Sequence, residues 1–187
     1  MTVKAAPEIC PWVSRFAPLV PAAGTVLDLA CGNGRHTQYF LKKGHPVTAL
    51  DKDTTGLSAF IDHPNCKIVP FDLEAPDLID RESGTMTFDA QLPFYAQQFD
   101  CIVVVNYLYR PLLPLLSRAL SPGGILIYQT FMTGNEVYGR PRNPDFLLAP
   151  GELSGTLNES LEQIDRSEGY TEHPKPAVIQ RYCGRKY

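Results

Sequence analysis

What most constrains this chain is a succession of short apolar runs, each followed by a turn and then by a stretch with helical spacing. Thr25–Ala30, Pro46–Leu50, Cys66–Val69, Phe99–Val105 and Ile125–Phe131 read as strands. Arg35–Lys43, Thr54–Ile61 and Pro111–Leu120 read as helices among them. Such alternation predicts an α/β fold: a doubly wound, mostly parallel sheet with right-handed crossovers and helices on both faces. Phe99–Val105 is the most strand-like run and belongs at the sheet centre. Leu161–Ser167 and Ala177–Cys183 read as two terminal strands, an antiparallel hairpin-like addition at the sheet edge that completes a seven-stranded sheet. Ala6–Pro21 reads as a short helix with Trp12, Val13, Phe16 and Leu19 on one face, a lid over one edge of the core. Glu74–Gln97 supports no firm element.

At 187 residues the chain fits one domain, expected to span 1–187 with an N-terminal helical lid over 1–23. Its 17 Lys plus Arg against 20 Asp plus Glu build no broad basic surface, so nucleic acid is an unlikely partner. The cysteines Cys10, Cys31, Cys66, Cys101 and Cys183 are odd in number, widely spaced and without a CxxC pair, which argues against a disulfide scaffold or zinc knuckle. His36, His45, His63 and His173 are equally scattered, so no metal site is expected. The N-terminal residues lack the apolar core of a signal peptide, and no apolar run is long enough to span a membrane. A cytoplasmic protein is the expectation.

The chemistry concentrates at Asp28-Leu29-Ala30-Cys31-Gly32-Asn33-Gly34, a turn from strand to helix. Small residues let a ligand approach the backbone, and a helix start offers unpaired N–H groups. Gly32-x-Gly34-x-x-Thr37 lacks the third glycine of a dinucleotide fingerprint, and no Lys-Ser or Lys-Thr pair follows as in a phosphate loop. Asp51 closes the second strand, where a carboxylate can accept both hydroxyls of a ribose, while Asp53 suits a helix N-cap. Asp72 ends the third strand and would face an adenine amino group or simply solvent. Asp28 interrupts an apolar strand and needs partners, which either the turn amides or a ligand amine would supply.

Taken in order, VLDLACGNGR, VTALDKD, FDLE, FDCIVVVNYLYRPLL and LSPGGILIYQTF resemble the class I S-adenosylmethionine-dependent methyltransferase family, and within it small bacterial tellurite-resistance-like methyltransferases. The resemblance runs from about Trp12 to Arg181. It implies a Rossmann-like fold with S-adenosyl-L-methionine as cofactor. By it, Asp28, Gly32 and Gly34 line the methionine end, with Ala30 standing where the family has its first turn glycine and Cys31 inside the turn. Asp51, with Lys52 beside it, holds the ribose, Asp72 and Leu73 border the adenine, and Asn106 lies beside the reacting methyl.

On the acceptor side, Asn106-Tyr107-Leu108-Tyr109-Arg110 follows the central strand, where such sheets carry functional loops. Tyr107 and Tyr109 are expected to point apart, one lining an acceptor pocket and the other packing under the Pro111 helix. Arg110 caps a helix, binds an anionic acceptor or is solvated. The loop 132–150 reads as a substrate-side lid bearing Tyr138, Arg140 and Arg142, placed either to hold an anionic small molecule or only for solubility. His36 suits a solvated or capping role better than a catalytic one. The expected activity is methyl transfer to a small-molecule acceptor. The alternatives are a cofactor-binding protein without chemistry and, more distantly, a nicotinamide-dependent oxidoreductase.

Overall fold

The computed structural model describes residues 8–75, 78, 92–94 and 98–187. Seven strands form one sheet in the order β3-β2-β1-β4-β5-β7-β6. These are β1 (Val26–Leu29), β2 (Val47–Asp51), β3 (Cys66–Pro70), β4 (Phe99–Val105), β5 (Leu120–Phe131), β6 (Leu161–Thr171) and β7 (Ala177–Lys186). The first five pair in parallel, whereas β7 pairs antiparallel with β5 on one side and β6 on the other. The expected fold class therefore holds. The terminal hairpin enters the sheet by its second strand, leaving β6 at the edge.

Each strand of the sheet's middle sends alternate residues to opposite sides. One layer joins Val26, Val47, Ala49, Cys101 and Val103 to α1 (Pro11–Phe16), α2 (Arg35–Lys42) and the 3-10 turn Thr55–Phe60. The other joins Leu27, Leu50, Ile102, Val104 and Leu126 to the 3-10 helix Arg110–Ala119 and α3 (Glu152–Leu157). β4 is buried along nearly its whole length, as a strand covered on both faces must be.

Several elements differ from their sequence reading. Pro111–Leu120 forms a 3-10 helix, with Pro111 in its first turn and Pro114 inside it. Proline lacks an N–H and its ring crowds the preceding turn, which disfavours regular α-helical bonding. β5 begins at Leu120, because Leu120 pairs with Phe99 before a register shift admits Ser121–Gly124 as an irregularity within the strand. The N-terminal helix buries Trp12, Val13 and Phe16, but Leu19 is exposed and Val20 turns inward instead. The 3-10 segment Ala17–Leu19 shifts the helical phase between them. Met86, Phe88 and Tyr95, in the stretch without a firm element, lie outside the described residues.

Candidate functional site

Loops at the carboxyl ends of β1, β2, β3, β4 and β5 converge on one side of the sheet, where open α/β sheets bind ligands. After β1 the chain reverses through Ala30, Gly32 and Gly34, with φ of 54°, 54° and 72°. These left-handed angles aim the turn back toward α2. The three residues do different things. A Cβ built on Gly32 would meet nothing within 4 Å, so this glycine has open space beside it, and its N–H binds Asp51. A Cβ on Gly34 would come within 2.7 Å of Leu57 Cδ2 and Phe60 Cε2. The space where a Gly34 side chain would lie is filled by the Thr55–Phe60 turn, so this position packs as a glycine. Ala30 keeps a side chain at the same kind of angle and forms part of the cleft wall.

Asp28 is buried, and its Oδ2 accepts the Thr37 N–H at 2.8 Å and the Thr37 hydroxyl at 2.6 Å. These bonds fasten the first turn of α2 to the sheet. Burial pushes its carboxyl up to about 6, against the lowering effect of the Thr37 bonds. His36 is buried beside it, its Nε2 accepting the Cys10 N–H at 3.4 Å, and burial with nearby Arg35 lowers the imidazole to about 3. His36 is therefore neutral and joins the N-terminal segment to the α2 start, a burial that differs from the solvated role expected of it. Cys31 is buried in the α2-side core, and burial pushes its thiol well up, so it fills space there.

Asp51 sits at the end of β2 with one carboxylate oxygen on the Gly32 N–H at 2.8 Å and the other on the Asp53 N–H at 3.0 Å. Each oxygen keeps a further lone pair, so a preset carboxylate faces the cleft with two acceptor sites. Asp53 caps locally, taking the Thr55 N–H and hydroxyl. A cavity of about 220 Å³ opens beside Asp51, walled by Ala30, Lys52, Asp72, Leu73, Glu74 and Tyr107 among others. Five residues singled out from the sequence for the cofactor (Ala30, Asp51, Lys52, Asp72 and Leu73) thus meet around one space.

Two further cavities continue this one. The next, about 180 Å³, shares Glu74 and Tyr107 with it and adds Asn106, Phe131, Pro141 and Phe146. The third, about 400 Å³, shares Asn106 and Phe131 with the second and extends to Glu8–Pro11, Arg35 and Gln129. Asn106 stands at the junction with φ 61°, held by its N–H on the Gln129 carbonyl at 2.8 Å. A non-glycine residue in this conformation is uncommon and often marks a functional turn. Tyr128 Oη donates to the Tyr107 carbonyl at 2.8 Å and fixes the next residue. Tyr107 Oη is buried without a hydrogen-bond partner among the described residues. Burial and the nearby Glu74 carboxylate push the phenol above its usual range. Tyr109 is half-buried against the core on the Arg110–Ala119 side and lies outside the walls of these cavities.

Arg110 is a clamp. It donates to both Glu152 carboxylate oxygens at 2.6 and 3.1 Å and to the Asp145 and Leu147 carbonyls at 2.8 Å each. Arg140 and Arg142 border an open hollow that shares Pro141 and Phe146 with the second cavity, and Tyr138 packs at a tilt against Tyr170 with ring centres 5.2 Å apart. Neither arginine lines the cavities that Asn106 walls. Glu74, Arg35 and Gln129 were missed as wall residues. Gln129 carried a legible signal, as a polar residue inside the apolar Ile125–Phe131 run. Among the described residues, no group of three or more His, Cys, Asp or Glu is placed to hold a metal ion, and no helix is long and apolar enough to cross a membrane.

This sheet order, with a glycine turn after β1 and an acid closing β2, defines a Rossmann-like methyltransferase architecture. The methyltransferase domain family model matches residues 1–143, and the chain belongs to that family. The TehB-like SAM-dependent methyltransferase of Corynebacterium glutamicum is 22% identical, with TM-score 0.63 over 96% of this chain and 89% of that one. TehB from Haemophilus influenzae gives 20% identity and TM-score 0.70 over 96% of this chain and 63% of its own. A Burkholderia thailandensis 1,6-didemethyltoxoflavin-N1-methyltransferase, solved with 1,6-didemethyltoxoflavin and S-adenosylhomocysteine, gives 17% and 0.67 over 94% and 76%. Comparison with curated proteins gives no match. The methyltransferase family recognised in the motifs is borne out by the family model, and the likeness to TehB and the TehB-like protein holds at the level of fold.

Proposed function

We propose that this protein is a single methyltransferase domain over 1–187 that transfers a methyl group from S-adenosyl-L-methionine to a small-molecule acceptor. The observation that carries the reading is the continuity of the cleft: cavities at β2–β3 and at β4–β5 share Glu74 and Tyr107, and the latter opens past Asn106. When bound, the cofactor supplies an electrophilic methyl on a sulfonium, so the reactive chemistry is its own.

The residues present fit that group. Asp51 offers two oriented acceptors for a ribose diol. Asp72 and Leu73 border the base, and the orphaned Tyr107 Oη finds a partner on the ligand. Gly32 leaves room for close passage of the chain beyond the ribose. Asn106, turned out of the sheet at the junction, positions the reacting groups, and Tyr107 closes the cleft against water. Residues 8–11 of the N-terminal segment wall the third cavity, and Pro141 and Phe146 of the loop 132–150 wall the second. The Burkholderia neighbour, with its small acceptor bound, is consistent with an acceptor of that size. Cytoplasmic location accords with this role.

The test is production of S-adenosylhomocysteine from S-adenosyl-L-methionine on addition of small-molecule acceptor pools. Acceptor-dependent turnover establishes the transferase. Tight S-adenosylhomocysteine binding without turnover on any pool would instead leave a binding protein.

A further inference from the structure

The cavity of about 400 Å³ beyond Asn106 lies within the size range of small-molecule sites. Its body is apolar, contributed by Phe131 at the end of β5, Ile179 of β7, and Ile9 and Pro11 of the N-terminal segment. Its polar groups are two cationic side chains, Arg35 and Lys175, with Asn106, Gln129, Thr171 and His173, against one carboxylate, Glu8. Arg35 and Lys175 bring cations from opposite sides, one at the α2 start and the other in the β6–β7 turn. Gln129 adds an oriented donor: its Oε1 accepts from Arg181 Nε at 3.0 Å and from the Cys10 thiol at 3.3 Å. With that oxygen taken and the amide orientation fixed by Arg181, Nε2 is the donor that Gln129 has left to offer at this wall. Against these stands Glu8, whose carbonyl takes a long bond from Arg35 at 3.5 Å.

We infer that this cavity is the acceptor site and that it takes a small, apolar-bodied molecule carrying an anionic oxygen group, such as an aromatic carboxylate. The inference rests on the methyltransferase reading and deepens it. Apolar walls bury the body, while guanidinium, ammonium and amide donors satisfy the oxyanion. It moves the anion-binding role from Arg140 and Arg142, which lie outside this cavity, to Arg35 and Lys175.

The experiment is calorimetric titration with naphthalene, indole and quinoline carboxylates and their matched primary amides, with and without saturating S-adenosylhomocysteine. Carboxylates should bind more tightly than their amides. Lys175→Gln, at an exposed position, and Arg35→Gln should each weaken carboxylate binding about three- to fivefold, leaving the amides alone. The two together should remove the preference. Thr171→Trp, which places an indole at the cavity wall, should weaken both probe types while the melting temperature confirms folding. Carboxylates binding no better than amides would overturn the proposal, as would a preference that survives the double variant or follows Arg140 and Arg142 instead. Failure of S-adenosylhomocysteine to bind would overturn the methyltransferase reading separately, because the carboxylate preference is also measured without it.

Discussion

Ala30 shows how one methyl group can matter on a turn. Its φ of 54° is left-handed, where a Cβ costs roughly 1–2 kcal/mol. Ala30→Gly relieves that strain but gives the unfolded chain more freedom, worth about 0.4–1 kcal/mol the other way. A net stabilisation of about 0.5–1 kcal/mol is expected in denaturant melts, and a loss of stability would show that the angle is unstrained. Asp28 offers a second residue-scale test. Its carboxyl is raised from 3.8 to about 6 in the fold, so its contribution is fully present below pH 3.8 and is lost as pH rises through 6. Asp28→Asn keeps an oxygen for both Thr37 donors but carries no charge to desolvate. Relative to wild type, the variant should gain stability between pH 4 and 7, by at most about 3 kcal/mol. A difference that stays flat across that interval would remove the burial argument.

Between residue and molecule, the loop after β5 is the element whose sequence reading changed most. It looked like a lid because it is long, yet its base is tied in. Met132 bridges Leu148, Asn135 Oδ1 accepts the Val178 N–H at 3.1 Å, and Arg110 gathers Glu152 with two loop carbonyls. Burial would raise the Glu152 carboxyl, but Arg110 and the Ala149 N–H outweigh it and hold the group below its usual value. Arg110→Gln should cost about 1–2 kcal/mol, since the pair is partly solvent-screened but two carbonyls lose donors as well. Proteolysis within 138–146 should accelerate; unchanged melting and nicking would show the clamp to be idle. Nothing local announced this clamp, because its partners lie 35 to 42 residues away. The parallel strands, by contrast, were legible from their apolar runs, and the Pro111 segment was misread only in its hydrogen-bond class. Its apolar set Leu112, Leu113, Leu115 and Leu116 is buried as the spacing implies.

At the scale of the whole molecule, long-range pairing decides both what was readable and what the cleft can do. Sequence order alone cannot say whether β6 or β7 meets β5, since either makes a hairpin; the choice of β7 rests on a register of paired residues from Ile125–Arg185 to Phe131–Ile179. That choice carries Ile179 and Lys175 to the third cavity, a placement with no local signal, whereas Ala30, Asp51, Asp72 and Leu73, which meet around the first cavity, come from β1–β3 turns with local signatures. Because the cofactor contacts loops from separate strands, binding should stabilise the fold globally. At about 100 times Kd, S-adenosylhomocysteine should add about 2.7 kcal/mol, a rise of about 5–10 °C in melting temperature for a chain of this size. Asp51→Ala removes two ribose acceptors, about 2–3 kcal/mol, so the same ligand concentration should shift that variant by only about 1–3 °C. NAD and NADH should shift neither protein, because the cleft lacks the third glycine of a dinucleotide turn. A shift with NADH and none with S-adenosylhomocysteine would reverse the assignment of the β1–β3 cavity, whereas equal S-adenosylhomocysteine shifts in wild type and variant would remove only Asp51 from it.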